Sequence, residues 1–377
     1  MGRQEELSST FGTTNDPLLE FNDQFLSFDW SALDDFFEEK IEPRDIADST
    51  KYGYRLAIDQ LEEWMEENHP DRSPACVNED IARGFALYLR DERENDPETA
   101  GRKLYVLSQA YQYFSKHPNY PHGGKLEDDE DGNTQISLYN PFDIAREKVN
   151  FGDKDRKEPP RITKEEVREK LSGCRNIRER LVIVLQFKLG LRASELCNIR
   201  LSEFHIRGEL VNEHYPEMGS HYHLQGRENA IYIPDNNERP GNKSQRARVL
   251  PLDEESREVI REYLKIRPDV DSDRLLLSGN TATPMEKEGV QYIWKKYWRP
   301  EYDETEYTAA IGSHFGRHFF GTFWGNQDVS VPLLKYMRGD TLKSDDDYKG
   351  AVSEYIHTHY EDIEPVYTEK IYKIVPR

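Results

Sequence analysis

The stretch FGDKDRKEPPRIT, residues 151–163, sets the first limit on what this chain can become. Paired prolines remove two backbone donors and fix two φ angles, and the surrounding charges have no apolar period that a core could bury. The segment reads as a linker. At 377 residues the chain is long enough for two bodies of ordinary size, each with its own core. The expected organisation is an acidic, aromatic N-terminal arm over 1–44, a helical body over 45–150, the linker over 151–163 and a second body over 164–377.

In the first body, apolar residues recur with a helical period from Thr50 onward, at Tyr54, Ile58, Leu61 and Met65. A second helix begins with Asn78 as its N-cap and carries Ile81, Phe85 and Leu89. A third follows Pro97, with Leu104, Leu107, Tyr111 and Phe114 on one side. Together with the short segment NPFDIAREKV they predict a compact bundle of about four helices. The preceding arm, EFNDQFLSFDWSALDDFFEEK, suits an amphipathic partner helix or a disordered segment, and no chemistry is assigned to it.

The second body opens on TKEEVREKL, where Thr163 is followed three residues later by Glu166, a capping box. An apolar helix, LVIVLQFKL, then runs to Gly190. Two short runs, AIYIP (230–234) and ARVLPL (247–252), flank DNNERPGNKSQR and predict a hairpin. Beyond residue 254 the pattern is again helical. The expected fold class is mainly α with a small antiparallel sheet.

Composition narrows the function. A formal net charge of -21 argues against a nucleic-acid partner when taken alone, because a polyanion is met by a basic face. The charge is unevenly spread, however. Acid crowds into residues 1–48, the loop LEDDEDG and the stretch KSDDDYKG, whereas residues 146–200 are rich in Arg and Lys. A basic face on an acidic body follows, and abundant Asp and Glu also suit a protein that stays soluble in high salt. Cys76, Cys174 and Cys197 have neither a disulfide framework nor zinc-site spacing and read as reduced structural thiols. With no long apolar run and no leader pattern in MGRQEELSST, the expected location is cytoplasmic.

Arg192 stands directly after the glycine that closes the apolar helix, in FKLGLRASELCNIRLSEF. It can cap that helix, whose last carbonyls lack partners, or it can aim a planar fork at an anion such as phosphate. Residues 314–324, HFGRHFFGTFW, place His314 and Arg317 one helical turn apart on one face. Between these segments lies a hairpin turn with Lys243, which by itself is a solvated charge, and after them comes AVSEYIHTHYEDI with two tyrosines. The cluster of His214, Glu217, His221 and His223 fits no common zinc spacing and is better explained as loop composition, so no metal is assigned.

At these residues the chain resembles the tyrosine recombinases, the phage-integrase family, as a divergent, archaeal-like member. GLRASELCNIRLSEF is similar to the family's first arginine motif, and GNKSQRARVLPL is similar to its β-hairpin, with Lys243 eight residues before Pro251. SHFGRHFFGT resembles its second motif, matching at His314, Arg317, His318, Phe320 and Thr322. The resemblance spans residues 163–372. Two departures stand out: Asp340, in YMRGDT, occupies the place of the family's third-motif ring, and the acidic insertion TLKSDDDYKG lengthens the path to the tyrosine.

The resemblance implies a site-specific DNA recombinase, an enzyme that cleaves and rejoins strands through a 3′-phosphotyrosyl link without a cofactor. Arg192 and Arg317 would grip the non-bridging oxygens, His314 would accept the phenol proton or bind the same oxygen, and Lys243 would protonate the departing 5′-oxygen. Glu195 would position its neighbours. Tyr355, with His357 two residues on, is the preferred nucleophile, and Tyr360 is the alternative. The implied partners are double-stranded DNA, a homotetramer on that DNA with EKIYKIVPR docking on a neighbour, and an accessory protein that sets direction. Arg102 and Lys103 are candidate phosphate contacts of the helical body. Two other readings stay open: strand relaxation of the type IB topoisomerase kind, and a DNA-binding relic without catalysis, which Asp340 favours.

Overall fold

The structure, a computed structural model, describes residues 16–123, 126–128, 134–136, 139–152, 157–208, 213–340 and 360–376. The chain divides into two compact units, Met1–Arg156 and Lys157–Arg377.

In the N-terminal unit, two short helices, α1 (Asn22–Leu26) and α2 (Ala32–Phe36), precede α3 (Asp48–Asn68), α4 (Glu79–Asp91), α5 (Pro97–Lys116) and α6 (Pro141–Lys148). A small antiparallel pair, β1 (Leu126–Asp128) and β2 (Thr134–Ile136), lies between α5 and α6. The helix starts are chemical: Asn78 accepts from the Ile81 N–H at 3.0 Å, and Asp96 accepts from Glu98 and Thr99 with Pro97 as first helical residue. The expected stripes are buried, including Ile58, Leu61, Phe85, Leu104 and Phe114. Tyr54 is only half-buried and donates its hydroxyl to Gln109 at 2.9 Å. Leu18, Leu33, Phe36 and Ile41 enter the same core, so part of the acidic N-terminal stretch is packed into the bundle.

The C-terminal unit is built around α8 (Ile177–Leu189), which follows α7 (Lys164–Gly173) and the predicted capping box of Thr163 and Glu166. Apart from its partly buried first turn, α8 is buried on every face, as expected of a helix with apolar residues all round. Against it pack α10 (Glu254–Leu264), α11 (Lys287–Trp298) and α12 (Phe315–Gly325), while α9 (Ala193–Asn198) continues the chain after a sharp turn. Gly190 makes that turn at φ +61°, and a Cβ there would lie 2.6 Å from the Phe320 ring. Only glycine meets both conditions.

A three-stranded antiparallel sheet runs in the order β3 (Phe204–His205), β4 (Ala230–Ile233), β5 (Arg248–Pro251), with Ile231 opposite Leu250. Two more helices, α13 (Val331–Arg338) and α14 (Tyr360–Lys370), complete the unit. After α14, Ile371, Tyr372 and Ile374 are buried in the unit's own core, and the amine of Lys188, fully enclosed, pairs with Asp253 at 2.8 Å and Glu255 at 2.7 Å beside the Tyr372 carbonyl. The segment expected to dock on a neighbour is thus packed within its own chain, because its apolar residues complete the core beside α8. The described residues therefore form a mainly α fold with small antiparallel sheets, as expected. None of their helices is long and apolar enough to cross a membrane.

Candidate active site

The turn at Gly190 delivers Arg192 to the N-cap position of α9. Its backbone N–H donates to Glu195 Oε2 at 2.8 Å, and its Nη1 donates to Glu195 Oε1 at 3.1 Å. The remaining arm of the fork, Nη2, donates to Asp340 Oδ1 at 3.0 Å. From α12, Arg317 sends Nη2 to the same Asp340 oxygen at 2.8 Å. Two guanidinium groups 125 positions apart in sequence thus meet on one carboxylate oxygen. Arg317 also donates Nη1 to the Gly190 carbonyl at 2.9 Å, so it is Arg317, and not Arg192, that serves the end of α8.

A buried layer holds these forks in place. Arg248, fully enclosed on β5, donates Nη2 to Glu195 Oε2 at 3.1 Å and Nε to the Met337 carbonyl at 2.9 Å. Burial pushes the Glu195 carboxyl up, but Arg248 and the Arg192 N–H outweigh it and hold the group at about 2. Arg317 is buried too, and desolvation with the field of Arg192 lowers its pKa, opposed by Asp340. Sequence reasoning did not assign Arg248 or Arg338, which pairs with Asp340 Oδ2 at 3.0 Å. The available signal for Arg248 was a cation inside a strand whose neighbours are all apolar.

Asp340 follows Gly339, which ends α13 at φ +69°. This left-handed turn puts the carboxylate between Arg192, Arg317 and Arg338, in the position where the resemblance calls for a ring. The turn is tied to the hairpin loop of residues 234–247, since Gln245 N–H donates to the Gly339 carbonyl at 3.2 Å. That loop carries Lys243, which is exposed between the buried residues Asn242 and Ser244.

His314 precedes α12 and meets His318 edge to face at 5.0 Å. Partial burial, then the fields of His318, Arg317, Arg192 and Arg338, pull its imidazole down to about 4. The ring is therefore neutral at pH 7 and able to accept a proton. Tyr355 and His357 lie outside the described residues, as does the acidic insertion. Tyr360 opens α14 and packs against Tyr232 and Val249, with Arg227 over its ring at 5.2 Å. Burial, followed by Glu364, raises its hydroxyl above the usual phenol range. None of its described contacts is with Arg192, Arg317 or His314.

In the N-terminal unit Arg102 is exposed and paired with Glu98 on its own helix. Lys103 donates to Gln60 at 2.6 Å and to Asn95 at 2.8 Å, and burial with the field of Arg93 lowers its pKa. In the C-terminal unit the rings of His221 and His223 lie against Tyr232 at 4.4 and 4.5 Å.

Residues 160–341 match the Phage integrase family. Among curated proteins, the chain is 25% identical over 202 residues to tyrosine recombinase XerA of Thermococcus onnurineus, covering 52% of this chain and 60% of that protein. It is 23% identical over 184 residues to XerA of Pyrococcus horikoshii, covering 48% and 53%. The chain thus spans little more than half the length of these relatives. Among solved structures, the Tn1549 transposon integrase in complex with a circular intermediate DNA superposes with a TM-score of 0.57 at 16% identity, over 90% of this chain and 99% of that one. A lambda integrase (75-356) dimer bound to a COC′ core site gives 0.56 at 14% identity, over 82% and 94%.

Proposed function

We propose that the chain, whose residues 160–341 match the Phage integrase family, is a site-specific DNA recombinase that breaks and rejoins strands through a 3′-phosphotyrosyl intermediate. The observation that carries this reading is the convergence of Arg192 Nη2 and Arg317 Nη2 on one oxygen, at 3.0 and 2.8 Å. A carboxylate oxygen and a non-bridging phosphate oxygen are the same kind of acceptor, so forks that meet on the first are aimed to meet on the second.

In the proposed step the Tyr355 hydroxyl oxygen bonds to phosphorus, and the bond from phosphorus to the 5′-oxygen breaks. The phenol proton passes to neutral His314, and Lys243 supplies a proton to the departing oxygen. Charge that builds on the phosphorane is met by Arg192 and Arg317, held by Glu195, Arg248 and the Gly190 carbonyl. Rejoining is the reverse, with a second strand's hydroxyl as nucleophile. Exchange between two duplexes calls for four protomers on double-stranded DNA, with the N-terminal bundle as a second DNA contact through groups such as Arg102.

The test is incubation with a nicked suicide substrate, which traps the covalent adduct. We expect an adduct that is lost in Tyr355→Phe and kept in Tyr360→Phe; the reverse pattern moves the nucleophile to Tyr360. Asp340 seated in the arginine grip favours one other reading, a DNA-binding relic, and that reading is supported if DNA is bound but no adduct forms. Strand transfer between two labelled duplexes separates recombination from relaxation alone.

A further inference from the structure

A loop as long as 234–247 is ordinarily mobile, and a lysine at its tip would reach the scissile phosphate only part of the time. The loop is instead anchored. Its Arg239 turns inward to 8% exposure, donates Nη1 to Glu203 Oε2 at 2.9 Å and to the Asn198 carbonyl at 2.6 Å, and pairs Nη2 with the second Glu203 oxygen. Glu203 is itself buried and accepts the Arg200 N–H at 2.8 Å. A two-pronged fork of this kind fixes direction as well as distance.

The anchor extends to both neighbours of Lys243. Asn198 Nδ2 donates to Asn242 Oδ1 at 2.9 Å, Asn242 Nδ2 donates to the Pro234 carbonyl at 2.9 Å, and Ser244 Oγ donates to the same carbonyl at 3.2 Å. Asn198 is the last residue of α9, and Arg192 stands at the N-cap position of the same helix. One short rigid element therefore holds the phosphate grip at one end and the lysine loop at the other.

We infer that Arg239 is a positioning residue which, through Glu203 and Asn198, keeps Lys243 in register with Arg192. Arg239 touches no reacting atom. The inference rests on the reading of Lys243 as the proton donor to the 5′-oxygen. Its consequence is selective: without Arg239, attack and DNA binding persist, while departure of the 5′-oxygen slows.

The experiment uses the full chain and two nicked suicide substrates that differ only in the bridging atom at the scissile phosphate, 5′-oxygen or 5′-sulfur. A thiolate leaves without a proton, so the sulfur substrate bypasses the donor. On the oxygen substrate we expect adduct formation to fall roughly a hundredfold in Lys243→Ala and at least about tenfold in Arg239→Lys. On sulfur both should return to within about twofold of the unsubstituted chain, a rescue of the whole general-acid contribution. Asn242→Ala, which leaves the Arg239–Glu203 pair intact and removes the side-chain bonds that tie the residue before Lys243 to Asn198 and to the Pro234 carbonyl, should behave as Arg239→Lys does. Arg239→Lys that stays slow on sulfur, or is unimpaired on oxygen, overturns the inference, as does an Asn242→Ala unimpaired on oxygen. Lys243→Ala that stays slow on sulfur instead overturns the donor reading beneath it.

Discussion

Asp340 shows how one side chain sets the state of the site. Its carboxylate neutralises part of a cluster in which Arg192, Arg317 and Arg338 crowd together. In the proposed reaction a phosphodiester has to share or replace it. Asp340→Asn keeps the shape and removes the charge, so binding of a short duplex should tighten by about fivefold, on the order of 1 kcal/mol for one charge at a solvated distance. Fluorescence anisotropy of a labelled duplex reads this, and weaker binding would contradict it. Arg317→Ala removes a donor aimed at the developing charge and should slow adduct formation by 10²–10³-fold, about 3 kcal/mol. The pH dependence follows from Glu195 at about 2 and His314 at about 4. Glu195 stabilises the fold above its ordinary carboxyl range, and that stability is lost as pH falls toward 2. His314 stays neutral when folded but takes a proton when unfolded, so stability also drops from pH 6.5 toward 4. Urea midpoints measured across pH should fall through both windows, and Glu195→Gln should flatten the lower one.

Among the elements, α8 and the glycine that ends it carry most of the design. The helix, its closing Gly190, the Asn78 cap and the Thr163–Glu166 capping box were all legible, because each depends on residues within one or two turns. The partner of Gly190 was not: nothing local says that the Arg317 fork would serve its carbonyl. Gly190→Ala must adopt a left-handed φ and push against Phe320, so it should cost about 2–4 kcal/mol in urea unfolding and misaim Arg192. A substitution that leaves both stability and cleavage unchanged would refute the role given to this turn. The hairpin was legible as strands, but the tether of its loop was not, because the Arg239–Glu203 pair that ties it down joins positions 36 apart.

At the scale of the whole chain, the C-terminal segment is the clearest revision. Read as a neighbour's docking piece, it is a structural part of its own unit, with Ile371, Tyr372 and Ile374 buried and the Tyr372 hydroxyl donating to the Phe187 carbonyl. Removing residues 371–377 should lower the unfolding free energy of the C-terminal unit by several kcal/mol, at about 1.5–3 kcal/mol for each buried apolar side chain. If thermal unfolding of the truncated chain matches that of the full one, the segment is not part of the core.

What the sequence determined by itself is whatever is written in short-range pattern: helix starts and stops and the strand pair. What only the tertiary structure decided is where charges meet. Asp340 reaches Arg192 across 148 positions and Arg248 reaches Glu195 across 53, and both contacts depend on the left-handed turn at Gly339 and on the depth of β5. Helix and strand signals come from bonds between near neighbours, whereas an ion pair between distant residues exists only after the core has fixed the elements that carry it.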